Sequence, residues 1–342
     1  MKWLFAGFGK GQWARRAIAI VRSIFKTAAA ACMTAMLVGM LPMTALGAAL
    51  SGDARTAIPY GVQQLIVVDY RSLQNSSVAM QLKDRVLPPE LKSLEDALKK
   101  SGLNENHDVD VLAFASFRDK PGAQASRIVG VAQGQFPMRD VLLKFKKNGI
   151  KPTVLRTNKI YPMGNSGMRM CFLNSSTFIF GGQVALQAAL DARDGLTPSM
   201  LTNSDLLDLM PSVQNDAVWS VLDSKGTQTM MQSVLGQGGG QLADFDTVKK
   251  RLTASRYSLD FQNGVSFNLD VITPDNFSAA TMSALMNAAL LYRKMSASDL
   301  EKQALSETTV KSSAGTLEVR YEASDNEFAG LLQSNLFQAV VH

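Results

Sequence analysis

One order of predicted secondary structure occurs twice in this chain of 342 residues, and it limits the fold more than any other feature. In each half an apolar strand is followed by two helices, a strand hairpin, a helix, a second hairpin and a final helix. Strands joined as hairpins run antiparallel to each other. The pattern therefore predicts an α+β fold with two similar halves and mainly antiparallel sheets.

The first half consists of short apolar runs and amphipathic segments. It opens with the apolar run Leu65-Ile66-Val67-Val68, which ends at Asp69. Helix 137–148 places Val141 and Phe145 on one face and its lysines on the other. The predicted elements are strand 65–69, helices 72–86 and 89–100, strands 109–117 and 127–133, helix 137–148, strands 152–156, 159–163, 168–173 and 177–181, and helix 184–192.

The second half repeats this order from strand 217–223. Asn263-Gly264 predicts a two-residue turn between strands 255–262 and 265–272. Turn chemistry at 195–199 places the boundary so that the halves are 48–198 and 199–342. The other predicted elements are helices 226–235, 242–252, 276–295 and 298–305, strands 308–313 and 316–322, and helix 325–340.

Residues 1–47 have the composition of a secretory signal peptide. Six Lys and Arg residues and no acidic residue lie in this segment, and an apolar stretch runs from Thr27 to Leu41. Ala45-Leu46-Gly47 offers the small residues that a signal peptidase reads, so we expect cleavage after Gly47. An uncleaved membrane anchor is the alternative, although about 15 apolar residues are fewer than the roughly 20 that a span needs.

The charge of the rest of the chain argues against nucleic acid as a partner. The whole chain has 35 Lys and Arg residues against 29 Asp and Glu residues. Without the six cations of the signal peptide, residues 48–342 have 29 of each and no net charge. A nucleic-acid-binding surface needs an excess of basic residues, so we expect that the protein binds no nucleic acid. From the signal peptide we expect an exported protein of a bacterial periplasm or cell envelope. Membrane contact is expected only if the N-terminal segment is not cleaved.

The scarcity of cysteine and histidine limits the kinds of site that this chain can form. Residues 48–342 contain one cysteine, Cys171, and two histidines, His107 and His342. An internal disulfide is therefore impossible in the processed chain, and a zinc site of His and Cys ligands is not expected. Glycines at 7–11 resemble a dinucleotide-binding turn, but the first acidic residue of the chain is Asp53, too far away to hold a ribose. We predict no cofactor and no metal site.

Four aspartates are the candidates for carboxylate chemistry. Asp69 and Asp223 each end an apolar strand before a predicted helix, so they could meet as a pair that binds a cation or acts as acid and base. The simpler interpretation is that each caps its helix, because Asp accepts backbone N–H bonds at a helix start. Asp108 and Asp110 flank the entry to strand 109–117 in a polar loop that lacks the spacing of an EF-hand.

Helix 276–295 is rich in alanine and methionine, with Met282, Met286 and Met295 along it. This composition favours close packing in a core. It also fits a soft apolar groove, since methionine side chains adapt to varied ligands.

The strand end Val67-Val68-Asp69, the strand entry Asp108-Val109-Asp110 and a helix followed by a short-strand hairpin resemble exported bacterial proteins of unknown function that contain a duplicated α+β unit. The resemblance covers most of residues 60–340. It implies export and internal duplication, and it brings no activity, cofactor or site residues.

These features favour a non-catalytic envelope protein that binds a partner protein or an apolar small molecule. The alternatives are a carboxylate-dependent periplasmic hydrolase, which would use Asp69, Asp108, Asp110 or Asp223, and a structural subunit of an envelope assembly. The last of these predicts a large exposed apolar patch.

Overall fold

The computed structural model describes residues 49–86, 98–99, 102–118, 126–163, 167–235 and 249–333. They form two compact units of α+β structure: unit 1 holds residues 49–75 and 98–208, and unit 2 holds 76–86 and 209–333. Residues 1–48, 236–248 and 334–342 lie outside the described residues, as do residues 164–166 and most of the predicted helix 89–100.

Twelve strands and eleven α-helices occur in the described residues. The strands are β1 (Val62–Asp69), β2 (Val109–Phe117), β3 (Arg127–Gly134), β4 (Thr153–Leu155), β5 (Asn158–Met163), β6 (Met168–Phe172), β7 (Thr177–Gly181), β8 (Val218–Leu222), β9 (Ala254–Asp260), β10 (Val265–Ile272), β11 (Thr309–Ser313) and β12 (Thr316–Ala323). The helices are α1 (Gly52–Thr56), α2 (Tyr70–Leu73), α3 (Ser77–Val86), α4 (Glu105–Asp108), α5 (Met138–Lys147), α6 (Gln183–Arg193), α7 (Ser204–Leu207), α8 (Ser224–Leu235), α9 (Asn276–Ser296), α10 (Asp299–Glu307) and α11 (Asp325–Gln333).

Unit 1 is built on seven antiparallel strands in the order β1-β2-β3-β7-β6-β5-β4. The amphipathic helix α5 buries Val141 and Phe145 in an aromatic cluster, where the ring centroids of Phe145 and Tyr161 lie 4.8 Å apart. Gly130 is required at the centre of this cluster, because a Cβ there would lie 2.2 Å from the ring of Phe180. Helix α6 packs against β3, β6 and β7.

Unit 2 has five antiparallel strands in the order β8-β9-β10-β12-β11. Helix α9 packs on β11 and β12, α8 packs on β8 and β9, and α11 packs on α3. Residues at alternate positions of β10 are buried, as expected for strands with one covered face. Arg256, Asp270 and Arg320 lie on the other face, where Asp270 binds Arg256 at 2.9 Å and Arg320 at 2.6 Å.

The strand orders of the two units match over five strands. The order β1-β2-β3-β7-β6 of unit 1 corresponds to β8-β9-β10-β12-β11 of unit 2, and unit 1 adds β5 and β4 at its end. The predicted α+β class with mainly antiparallel sheets is confirmed. Internal duplication and a domain boundary after residue 198 stay predictions, while the contacts extend unit 1 to Asp208.

Three local predictions are corrected by the structure. The predicted helix 72–86 is two helices: α2 ends at Leu73, and Ser76 caps α3 by accepting a hydrogen bond from the Ala79 N–H. The polar loop before strand 109–117 contains the one-turn helix α4. The turn between β9 and β10 has a positive φ at Gly264 (90°) and not at Asn263, and Asp260 faces Ser266, so the loop is longer than two residues.

Candidate functional site

Asp69 is a buried helix cap at the end of β1. Its side chain is 9 % exposed, and Oδ1 accepts a hydrogen bond from the Ser72 N–H at 2.8 Å. The Ser72 hydroxyl donates to the other carboxylate oxygen at 2.7 Å. The capping interpretation is therefore confirmed for this residue, and both oxygens have structural partners.

Asp223 has the same position in unit 2. It follows β8, and its Oδ1 accepts a hydrogen bond from the Gly226 N–H at 2.6 Å in the first turn of α8. Both aspartates thus accept from the amide three residues later, as the sequence predicts for an N-cap. A chemical role for the pair stays a prediction.

Asp108 and Asp110 are also held by neighbours within unit 1. Asp108 Oδ2 accepts a hydrogen bond from the Asn104 N–H at 2.6 Å, which closes the turn of α4. Asp110 forms an ion pair with Arg71. In the β1–β2 register Asp69 faces Val111, so the side chains of Asp69 and Asp110 lie on opposite faces of the sheet. The carboxylates of Asp69 and Asp110 therefore do not converge on one substrate position.

An open cleft of about 420 Å³ lies beside Asp108. Its wall consists of Asp108, Gly134, Gln135, Phe136, Pro137, Ser175 and Ser176. The backbone amides of this wall are already bonded: Gly134 donates to Ser176, Phe136 to Ser175 and Gln135 to Asp108. The cleft thus offers no free backbone donors from these three residues to bind an anion.

Asp216 and Asp260 form a further pair of interacting carboxylates, in unit 2, that was not among the candidates from the sequence. Burial raises the pKa of Asp216, a hydrogen bond with Ser258 opposes this shift, and the charge of Asp260 adds to it. The only feature of the sequence that could have pointed to Asp216 is its position directly before the predicted strand 217–223.

In the part of the chain that the structure describes, no three His, Cys, Asp or Glu side chains are grouped so that they could hold a metal ion.

Cys171 is an inert thiol in the core of unit 1. It is buried, and burial raises its pKa to about 11, so the reactive thiolate is scarce at neutral pH.

Arg156 binds Asp191 at 2.7 Å and Asp194 at 2.8 Å. These ion pairs hold the β4–β5 turn, where Arg156 has a φ of 54°, against the end of α6.

Helix α9 buries one face in unit 2. Asp275 caps it by accepting a hydrogen bond from the Ser278 N–H at 2.7 Å. Met282 and Met286 are buried with Ala279 on the face that packs on β11 and β12. Burial of one such methionine contributes about 2 kcal/mol, so this face anchors the helix. The core interpretation is confirmed for these two methionines.

The opposite face of α9 is mainly apolar and open to solvent, with Thr281 as a polar residue within it. Phe277, Leu291, Tyr292 and Met295 are 75 %, 65 %, 67 % and 84 % exposed. At about 100° per residue, the exposed apolar positions of this face fall within about 60° of one line along the helix. We call this set the α9 stripe: Phe277, Ala280, Ala284, Ala288, Leu291, Tyr292 and Met295.

The α9 stripe differs from an ordinary exposed surface in both composition and length. No charged residue occurs between Asp275 and Arg293. A helix that is apolar on all sides is normally buried on all sides, and scattered single apolar residues, not continuous rows, are the rule on a surface. The core prediction is therefore wrong for Met295, and the row marks a candidate interaction surface.

No helix in the described ranges combines the length and the hydropathy that crossing a bilayer requires.

Comparisons with known proteins give structural neighbours only. No protein-family model matches the chain, and no curated protein matches it. Among solved structures, crystal form III of TP0453 is similar at a TM-score of 0.47 and 10 % identity, covering 81 % of this chain and 96 % of that chain. Crystal form I gives 0.45 and 11 %, with 81 % and 95 % covered. Crystal form IV gives 0.44 and 9 %, with 82 % and 96 % covered.

Proposed function

We propose that the protein is an exported, non-catalytic protein of the bacterial cell envelope that binds a partner protein through the α9 stripe. The exposed apolar row of α9 is the observation that carries the proposal. Contiguous exposed apolar surface typically marks a contact site with another macromolecule. Phe277, Tyr292 and Met295 are residue types that are enriched at the centres of protein interfaces.

The shape of the surface favours a protein over a small molecule. Small apolar ligands bind in concave pockets that enclose most of their surface. The stripe is a row of side chains along one helix, and its most exposed members lie near the two helix ends. A row of this kind fits the face of another helix or a sheet.

The carboxylate candidates give less support for a hydrolase. Asp69 and Asp223 cap helices, Asp108 closes a turn, and Asp110 pairs with Arg71. A catalytic carboxylate needs free access to substrate and a second group at the reacting bond. The structural-subunit alternative uses the same apolar surface as the proposed binding function, because it predicts an exposed apolar patch.

Photo-cross-linking in cells tests this function. A photoreactive amino acid at position 284, in the middle of the stripe, should yield a covalent adduct with a defined protein. The same amino acid at position 196 is the control, because Leu196 is an exposed apolar residue (64 %) of unit 1 that does not belong to the stripe. Mass spectrometry of the adduct would also show whether residues 1–47 have been removed. No adduct at 284, or equal adducts at both positions, would defeat the proposal.

A further inference from the structure

The chemistry of the α9 stripe limits the class of its partner. Residues 276–292 contain no charge, so nothing on this part of the helix selects a charged peptide. Helices that lie on anionic lipid surfaces have Lys and Arg along their polar flanks. The flanks of α9 lack them up to Arg293, so an apolar protein surface is the better match.

Large side chains lie at both ends of the stripe, and small side chains lie between them. Phe277 stands at the N-terminal end, and Leu291, Tyr292 and Met295 stand at the C-terminal end. Three alanines, at 280, 284 and 288, occupy the middle. Alanines there allow two helix backbones to approach closely, while the large residues at the ends can reach across.

A second copy of the chain fits this order when the two α9 helices run antiparallel. With the twofold axis level with residue 286, Phe277 of one copy faces Met295 of the other. Ala280 then faces Tyr292, so that a small residue meets a large one, and Ala284 faces Ala288 at the centre. The contact row from 277 to 295 is about 27 Å long, at about 1.5 Å per residue.

Electrostatics favour the same orientation. Antiparallel helices place the positive end of one macrodipole beside the negative end of the other. A parallel pair would bring the two Lys294 residues together and place like dipole ends side by side.

We infer that the partner of the α9 stripe is a second copy of this chain, bound through an antiparallel, twofold-symmetric pair of α9 helices. This inference rests on the proposed function, because it names the partner of the same surface. A single helix pair buries less than the roughly 800 Å² per partner of a standard interface, so the dimer should dissociate in the micromolar range.

Sedimentation velocity of the purified exported protein at about 1 to 200 µM tests the inference. The wild type should change from monomer to dimer over this range. Leu291→Glu should raise the dimer dissociation constant at least about thirtyfold, because a twofold interface is altered at two places. Leu196→Glu makes the same change at an equally exposed position and should leave the dissociation constant within about twofold of wild type.

A second variant and a lipid control keep the test decisive. Ala284→Glu should also give a monomer, because it puts two carboxylates at the centre of the pair, and circular dichroism confirms that each variant is folded. A wild type that stays monomeric at 200 µM, or a dimer that Leu291→Glu leaves intact, overturns the inference. Vesicles of phosphatidylethanolamine and phosphatidylglycerol that bind the monomer through Leu291 also overturn it. A photo-cross-link at 284 to a different protein overturns it while leaving the proposed function standing.

Discussion

Replacing Asp69 by alanine should lower the free energy of unfolding by about 2 kcal/mol. The carboxylate accepts one hydrogen bond from the Ser72 N–H at 2.8 Å and another from the Ser72 hydroxyl at 2.7 Å. Loss of an N-cap costs about 1 kcal/mol. Loss of the acceptor for the Ser72 hydroxyl adds about 1 kcal/mol. This cost stays at the low end of the range for a lost buried partner, because the hydroxyl can partly turn to water.

Two further substitutions separate capping from other effects. Asp69→Asn keeps a carbonyl oxygen that can accept from the Ser72 N–H, so it should cost about half as much as the alanine change. Asp110→Ala removes an ion pair with Arg71 whose side chains are 35 % and 63 % exposed. An exposed pair of this kind contributes at most about 0.5 to 1 kcal/mol.

Urea unfolding followed by far-ultraviolet circular dichroism measures these differences. With a slope of about 2 to 3 kcal/mol per molar, Asp69→Ala should lower the urea midpoint by about 0.7 to 1 M. The reasoning is refuted if Asp69→Ala costs no more than Asp110→Ala. If Asp69 were instead the catalytic carboxylate of a hydrolase, Asp69→Asn would also lose its activity under conditions in which the variant is still folded.

Three other substitutions test the local structure. Asp223→Ala should cost about 1 kcal/mol through loss of the α8 cap, and fluorescence of the buried Trp219 in the preceding strand should follow the transition. Burial raises the pKa of Asp216, so its stabilising contribution is complete below the unfolded pKa of about 3.9 and is lost as pH rises through the folded pKa. Asp216→Asn should therefore have a higher melting temperature than the wild type at pH 7 and the same melting temperature at pH 3. Gly264→Ala should cost at least about 2 kcal/mol, because φ is 90° and the new Cβ would lie 2.3 Å from a backbone oxygen, whereas Ala314→Gly, at φ 47°, should stabilise the protein by up to about 1 kcal/mol.

Strands with one buried face were predictable because their apolar residues alternate. The prediction of strand 109–117 matches β2 at both ends, and every second residue of β2 is buried. The capping roles of Asp69 and Asp223 were predictable for a related reason. An aspartate between an apolar strand and a helix has a local partner, the first-turn amide, whatever the tertiary structure is.

Turn geometry was less predictable because it depends on the register of the strands. Asn263-Gly264 favours a two-residue turn, but Asp260 pairs with Ser266, so the loop is longer and only Gly264 in it adopts a positive φ. A two-residue turn with two positive φ angles occurs instead at Ala314-Gly315.

The exposure of the α9 stripe could not be predicted from its sequence. The helix is apolar on nearly all sides, so hydrophobic periodicity does not say which face meets the sheet. Packing on β11 and β12 selected the face with Met282 and Met286 and left Met295 outside. The tertiary structure alone therefore identifies the candidate interface.

Maleimide labelling of Ala284→Cys in intact cells tests most directly whether the α9 stripe is an occupied interface. Cys32 lies in the segment that we expect to be removed, and Cys171 is buried with a pKa of about 11, so the native cysteines should contribute little background. Leu196→Cys serves as the exposed reference. Position 284 should react as fast as position 196 in dilute purified protein and at least about tenfold more slowly in the cell envelope, because a partner covers it there. Equal labelling of both positions in the envelope would contradict the account.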